Sequence, residues 1–146
     1  MSKPKTQAQL DREASKRLFK KYGRDLAWYN EELELQGGTC KLCGSKPGTR
    51  RLHVDHDHKW KYVKIHTRKS TSGQWQAWAL YNGNEYLCYS EKRNEAINDV
   101  KGYLKRASCR SLLCFRCNSF IVGFNDPGLL RKAADYLEQH QGVQNG

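Results

Sequence analysis

Residues 40–58 read Cys40-Lys-Leu-Cys-Gly-Ser-Lys-Pro-Gly-Thr-Arg-Arg-Leu-His-Val-Asp-His-Asp-His58. The opening Cys-x-x-Cys is a knuckle that brings two sulfurs to one side of a tight turn, at the ~2.3 Å reach a zinc ion needs. A second pair, Cys114-Phe-Arg-Cys117, stands seventy residues further on and is followed at once by Asn118. Redox chemistry or chance would account for one such pair. Two pairs among reduced thiols point instead to a single Zn2+ held by Cys40, Cys43, Cys114 and Cys117. Four thiolates leave no open coordination position, so this zinc is structural and clamps the two ends of the intervening segment. Cys88 and Cys109 lack a partner at knuckle spacing and read as a sheet residue and a spare thiol.

The composition agrees with a stapled, nucleic-acid-facing protein. Of 146 residues, 38% are hydrophobic and 28% charged, too few apolar groups for a core of ordinary size without a staple. The formal net charge of +11 points to a polyanionic partner, with a merely soluble basic protein as the alternative. No run approaches the ~18–20 apolar residues of a membrane span. Met1-Ser-Lys-Pro-Lys-Thr-Gln7 has no apolar centre, so it is not a secretory signal, and an intracellular setting is expected. The reduced state of the thiols follows from that setting.

Outward from the knuckles, a polar tail over 1–8 is expected to be disordered. Leu10, Ala14 and Leu18, with Phe19 and Tyr22 beside them, predict a helix over 9–22 that stops at Gly23. Leu26, Tyr29 and Leu33 predict a second, ending at Gly37-Gly38. Trp75, Ala77, Ala79 and Tyr81 alternate with Gln74, Gln76 and Trp78 at the strand period, and Asn82-Gly83 is a hairpin turn leading to a return strand at Tyr86–Tyr89. Tyr62–Ile65 is a candidate third strand. Ser90-Glu91 opens a helix with Ala96, Ile97, Val100 and Leu104 inward. A final helix over 125–140 is capped by Asn125 or Asp126, with Pro127 in its first turn and Leu130, Ala133, Ala134 and Leu137 as its buried stripe. The last six residues are expected to fray.

The chemistry concentrates in His53-Val-Asp55-His56-Asp57-His58. On a regular strand His53, Asp55 and Asp57 face one way, and His56 and His58 the other. Carboxylates suit a hard cation such as Mg2+ or Mn2+, and a neutral histidine takes a proton from water. Phosphodiester hydrolysis needs both. The alternative is a nonfunctional metal-binding or surface cluster. Asn118, taken alone, reads as a helix cap.

Tyr22-Gly, Tyr29, Gln36-Gly-Gly-Thr-Cys-Lys-Leu-Cys43-Gly, His53–His58, Arg110-Ser-Leu-Leu-Cys-Phe-Arg-Cys-Asn118, Asp126-Pro, Leu130, Ala133-Ala and Tyr136-Leu137 together resemble the recombination endonuclease VII family of phage nucleases, within the His-Me finger (HNH-like) group. The resemblance covers about 20–58 and 109–138. It implies an α+β fold: a zinc-stapled ββα-metal nuclease core with flanking helices. It implies that Asp55 and Asn118 hold a catalytic Mg2+ or Mn2+, that His56 is the general base, and that His58 contacts or supports the phosphate. It also implies DNA as substrate, branched (Holliday) junctions among the forms to consider, and a phage-encoded protein acting inside a host cell. Cutting two strands symmetrically calls for a homodimer, with helices at 9–35 and 126–139 to form it. Two departures stand out. Some relatives carry an acidic residue where Ile121 stands, and the loop between the histidine motif and the second knuckle is usually much shorter than 59–108.

The domain organisation expected is therefore 9–58 plus 109–140 as the nuclease domain, with 59–108 an inserted three-strand-plus-helix unit. That unit has ten lysines and arginines against four aspartates and glutamates, +6 of the +11, with Trp75, Trp78 and Tyr81 interleaved. It reads as a DNA-binding module resembling the small sheet-based readers of some integrases and homing endonucleases; the alternative is a structural elaboration whose aromatics fill their own core. For the whole chain the alternatives are a nicking or homing-type endonuclease on duplex DNA, or a noncatalytic zinc-stabilised DNA-binding protein that would have no need of Asp55, His56 and Asn118 together.

Overall fold

The computed structural model describes residues 4–124 and 126–141, with side chains of 124, 140 and 141 outside that description. The chain is α+β, with two separate buried clusters: one beside the cysteine knuckles and one under the sheet of the 59–108 segment.

Helix α1 spans Gln7–Tyr22. Thr6 starts it through a capping box, its hydroxyl accepting from the Gln9 amide at 3.3 Å while the Gln9 side chain accepts from the Thr6 amide at 2.9 Å. The helix thus begins two residues before the predicted start. Gly23 ends it with φ 68°, its amide donating to the Phe19 carbonyl at 2.8 Å. A Cβ there would also crowd the Arg106 side chain at 3.0 Å, adding to the backbone preference for glycine. Helix α2, Leu26–Leu35, is capped by the Asp25 carboxylate, which accepts from the Trp28 amide at 2.9 Å. Gly37 and Gly38, at φ 67° and 73°, turn the chain toward the first knuckle.

Strand β1 (His53–His56) pairs antiparallel with β5 (Cys109–Leu113), although 52 residues of sequence lie between His56 and its partner Cys109. Leu112 is fully buried between β1 and α2 and anchors the knuckle core with Tyr22, Tyr29, Leu52, Val54 and Leu113. Each such leucine contributes about 1.5–3 kcal/mol. Two polar ties set the geometry. The Tyr29 hydroxyl donates to the Leu52 carbonyl at 3.0 Å, fixing the entry to β1. The Gln36 amide brackets Leu112, donating to its carbonyl at 2.9 Å and accepting from its N–H at 2.8 Å. Gln36 therefore locks the end of the first limb to β5, just ahead of both knuckles.

The 59–108 segment forms a three-stranded antiparallel sheet, β2 (His66–Lys69), β3 (Trp75–Tyr81) and β4 (Asn84–Ser90), covered by α3 (Arg93–Ala107). The hairpin turn at Asn82-Gly83 has φ 50° and 78°, as its sequence demanded. Ala77, Ala79 and Tyr81 bury against Ala96, Val100 and Leu104, with Ile97 at the margin. The predicted strand at Tyr62–Ile65 is not there. A 3-10 turn, Lys59–Tyr62, occupies its beginning, and the third strand is His66–Lys69. An edge strand open to solvent needs no apolar alternation, which is why β2 is polar. Helix α3 also starts later than Ser90-Glu91, at Arg93; the Ser90 hydroxyl donates to Glu95 at 2.8 Å.

Helix α4, Pro127–Gln141, follows a π turn (Cys117–Ile121) and a 3-10 turn (Val122–Phe124). The Asp126 carboxylate caps it, accepting from the Gly128 and Leu129 amides at 2.9 and 3.0 Å; Asn125, the other candidate cap, lies outside the described residues, as do 1–3 and 142–146. The expected buried stripe is corrected: only Leu130 is half-buried, Ala133 and Ala134 are exposed, and Leu137 is 56% exposed. Among the described side chains, none from α4 joins either buried cluster.

Candidate active site and metal centre

The first knuckle is folded by its own backbone. The Cys40 amide donates to the Ser45 carbonyl and the Gly44 amide to the Cys40 carbonyl, both at 2.9 Å, with Gly44 at φ 70°. The second uses the helical turn after β5, in which the Asn118 amide donates to the Cys114 carbonyl at 2.9 Å and the Cys117 amide points at the Cys114 sulfur at 3.4 Å. The β1–β5 pairing and the Gln36 bracket bring the knuckles together. All four sulfurs lie within 4.8 Å of one another, and Cys43 Sγ is 3.8 Å from Cys114 Sγ. A tetrahedral ion with ~2.3 Å bonds spaces its sulfurs at about 3.8 Å. The four cysteines are thus positioned to hold a metal ion, and the all-thiolate donor set is consistent with structural zinc. Hydrogen bonding from Ser45 draws the Cys43 thiol down to about 6, whereas burial pushes Cys117 up. Cys88 lies in β4 facing the α3 core, and Cys109 sits apart with its thiol near the Tyr22 and Lys105 carbonyls, so neither joins the cluster.

Immediately beyond this cluster is a cavity of about 120 Å³ lined by Asp55, His56, His58, Arg110, Asn118, Val122 and Gly123. Asp55, His56 and His58 come from the first limb; Asn118 comes from the second, directly after Cys117. The strict alternation expected for 53–58 fails. The β1–β5 register shifts between Asp55 and His56, and the strand ends there. Arg110 is the extra residue of β5 at this bulge, and Asp55 and His56 both line the cavity beside it; His58 follows with its ring 4.4 Å from that of His56.

Asp55 is 7% exposed, and both its oxygens are taken by the Arg110 fork: Nε to Oδ2 at 2.7 Å and Nη2 to Oδ1 at 3.0 Å. Without that partner a buried carboxylate would be costly. His56 is half-buried against the edge of Tyr22, ring centroids 5.1 Å apart. Its Nδ1 lies 3.4 Å from the Val54 carbonyl. A carbonyl only accepts, so Nδ1 carries the proton and Nε2 keeps its lone pair. Burial, helped by the charges of His58 and Lys21, holds the ring's pKa below the usual 6.5, so it is neutral near pH 7.

The other two polar residues of the motif have different places. Asp57 accepts from the Lys59 amide at 2.9 Å and from the Tyr81 hydroxyl at 3.2 Å, tying the end of β1 to the three-stranded sheet. Burial opposes its ionisation, but these hydrogen bonds outweigh it and hold the carboxyl below its ordinary value. His53 packs beside Phe115, centroids 5.8 Å apart, and lines a different groove. Arg110 and Gln36 carry no sequence prediction of a role. Their signals were a buried aspartate in need of a counter-charge and an amide immediately before the Gly37-Gly38 turn, both legible only once the limbs are paired.

Three comparisons bear on this arrangement. The family model described as recombination endonuclease VII matches residues 15–139. The Gene 59 protein of Mycobacterium phage D29 is 28% identical over 131 residues, 88% of this chain and 52% of that protein, so the chain spans about half the length of this curated relative. No solved structure matches.

Proposed function

Because the chain belongs to the recombination endonuclease VII family, we propose that it is a metal-dependent DNA endonuclease of the His-Me finger kind, acting on branched DNA such as four-way junctions. The observation that carries this reading is the meeting of Asp55, His56 and His58 with Asn118 in one cavity, from limbs joined at the cysteine cluster. A pure DNA-binding protein has no use for that combination.

Asp55 and Asn118 offer a carboxylate and an amide carbonyl, hard oxygen donors that suit Mg2+ or Mn2+. Both residues line the one cavity of about 120 Å³, which is room enough for such an ion beside them. When bound, the ion supplies charge stabilisation at the scissile phosphate. His56 takes the proton of the attacking water at Nε2, the nitrogen left free by the Val54 contact. His58, exposed at the mouth, contacts the phosphate. Ile121, half-exposed on the π turn, supplies no oxygen, so water and phosphate complete the metal shell. The cysteine cluster is a structural Zn2+ site that holds Asn118 opposite Asp55.

Symmetric cutting of a junction requires two active sites, and the proposed assembly is a homodimer. The exposed apolar residues of α4 and α1, Leu129, Leu137, Leu10 and Phe19 among them, support an interface there. The proposed setting is phage DNA inside a host cell. Among the described residues no helix is long and apolar enough to cross a membrane.

The 59–108 segment is proposed as a DNA-binding unit that reads through its open sheet face. On that face the Arg68 guanidinium lies 5.4 Å from the Trp78 ring, and Trp78 stacks on His66 at 5.3 Å. Arg68 is also hydrogen-bonded to Gln76, so it is held upright for a phosphate or a base edge. Arg68→Ala is expected to weaken DNA binding and to lower the slope of log affinity against log salt by about one. Fluorescence anisotropy across a salt series checks this; an unchanged affinity and slope would remove Arg68 from the interface.

The test of the overall reading compares a four-way junction, a plain duplex and a single strand under the same Mg2+ conditions. The expected result is Mg2+-dependent cutting, fastest on the junction. Cutting of no substrate would sink the nuclease reading; equal cutting of junction and duplex would remove only the branched-DNA preference.

A further inference from the structure

Arg110 is the one lysine or arginine among the described residues that line the active-site cavity. Its side chain is 43% exposed while that of Asp55 is 10% exposed, so the pair joins a fixed, enclosed carboxylate to a cation with one side open to solvent. The fork covers both Asp55 oxygens. A divalent ion sharing that carboxylate would stand within a few ångströms of the guanidinium and be repelled by it. A DNA phosphate offers the guanidinium a second planar, bidentate partner of the same geometry.

We propose that Arg110 is an exchangeable counter-ion: in the DNA-free protein it neutralises Asp55 and keeps divalent-cation affinity low, and an incoming phosphate draws it away so that the cation binds with the DNA. The inference rests on the nuclease reading, in which Asp55 is the metal ligand. It makes Arg110 a positioning residue for Asp55 before DNA arrives and a phosphate contact afterwards. Metal and substrate then load cooperatively, because each relieves an obstacle to the other. The exchange needs no change in protonation.

Mn2+ binding to the zinc-loaded full chain, followed by the loss of the free-ion electron paramagnetic resonance signal, tests this. Without DNA, Arg110→Gln is expected to bind Mn2+ roughly tenfold more tightly than the wild type, the scale on which partners of a metal-ligating side chain move affinity. In a His56→Ala background, which keeps the DNA whole, a four-way junction is expected to tighten Mn2+ binding more with Arg110 present than with glutamine there. Arg110→Lys keeps the charge without the fork and should show part of the same gain, which keeps the test available if the glutamine variant fails to fold. Melting temperature and zinc content identify the folded variants. Unchanged or weaker Mn2+ binding in a folded Arg110 variant, while Asp55→Asn abolishes binding, would overturn the exchange and leave the ligand assignment standing. Mn2+ binding that survives Asp55→Asn would overturn both.

Discussion

His56→Ala is expected to slow cleavage of branched DNA by about 10²–10⁴-fold, the range a positioned general base supplies. Binding of the same DNA should be nearly unchanged. The expectation follows from how the ring is held. Its Nδ1 is committed to the Val54 carbonyl, one face rests on Tyr22, and burial keeps it neutral, so Nε2 is available at pH 7 without prior loss of a proton. Alanine removes the proton acceptor without removing a charge that binds phosphate. The variant should also fold, because His56 contributes no residue to the buried knuckle core. Single-turnover rates at saturating protein, with anisotropy for binding, separate the two effects. A loss of affinity equal to the loss of rate would make His56 a binding residue and leave the base unidentified.

The second large effect is on stability. Cys117→Ser is expected to abolish zinc binding and the cooperative melting of the knuckle core. Cys117 is 2% exposed and packs in the same cluster as Leu112 and Leu113. Structural zinc sites bind with roughly 10–16 kcal/mol, which matches or exceeds the total stability of an ordinary domain, about 5–15 kcal/mol. The knuckle core has few large buried side chains to compensate, and the β1–β5 pair it supports closes a loop of more than fifty residues. Differential scanning calorimetry with zinc quantified beside it would check this. An unchanged melting transition in a zinc-free variant would show that the cysteines hold nothing the fold depends on.

Features governed by local rules were legible in the sequence. Asn82-Gly83 demands left-handed backbone, Ala96, Val100 and Leu104 recur on one helical face, and the two knuckle spacings announce their own ligand set. What escaped reading depends on partners far along the chain. The polar strand His66–Lys69 exists because β3 offers it a ladder, not because its own residues alternate. The bulge at Arg110, opposite the Asp55–His56 step, comes from a pairing across more than fifty residues of sequence, and Asp55, His56 and His58 line one cavity beside it. Arg110 and Gln36 act across 55 and 76 residues of sequence. Helix α4 has the periodicity of a buried helix, yet Leu137 remains exposed; periodicity identifies an apolar face without identifying what lies against it.

The candidate site shows the same division. Asp55, His56, His58 and Asn118 were nameable from the motifs, and the structure brings them to one cavity. His53 and Asp57 belong to the same six residues but lie elsewhere, Asp57 as the tie between β1 and the three-stranded sheet. A dense cluster of chemically capable side chains is therefore a poor guide to which of them work together until the backbone that carries them is known.

The central claim is that one active site is divided between two limbs and assembled by the metal at the cysteines. The most direct measurement is the rate of junction cleavage in Mg2+ while a mercurial reagent empties the cluster and an indicator dye reports the zinc released. The account predicts that the rate falls in step with zinc release and recovers when the mercurial is removed with excess thiol and zinc is restored. Cleavage that continues at its full rate after the zinc has gone would contradict it.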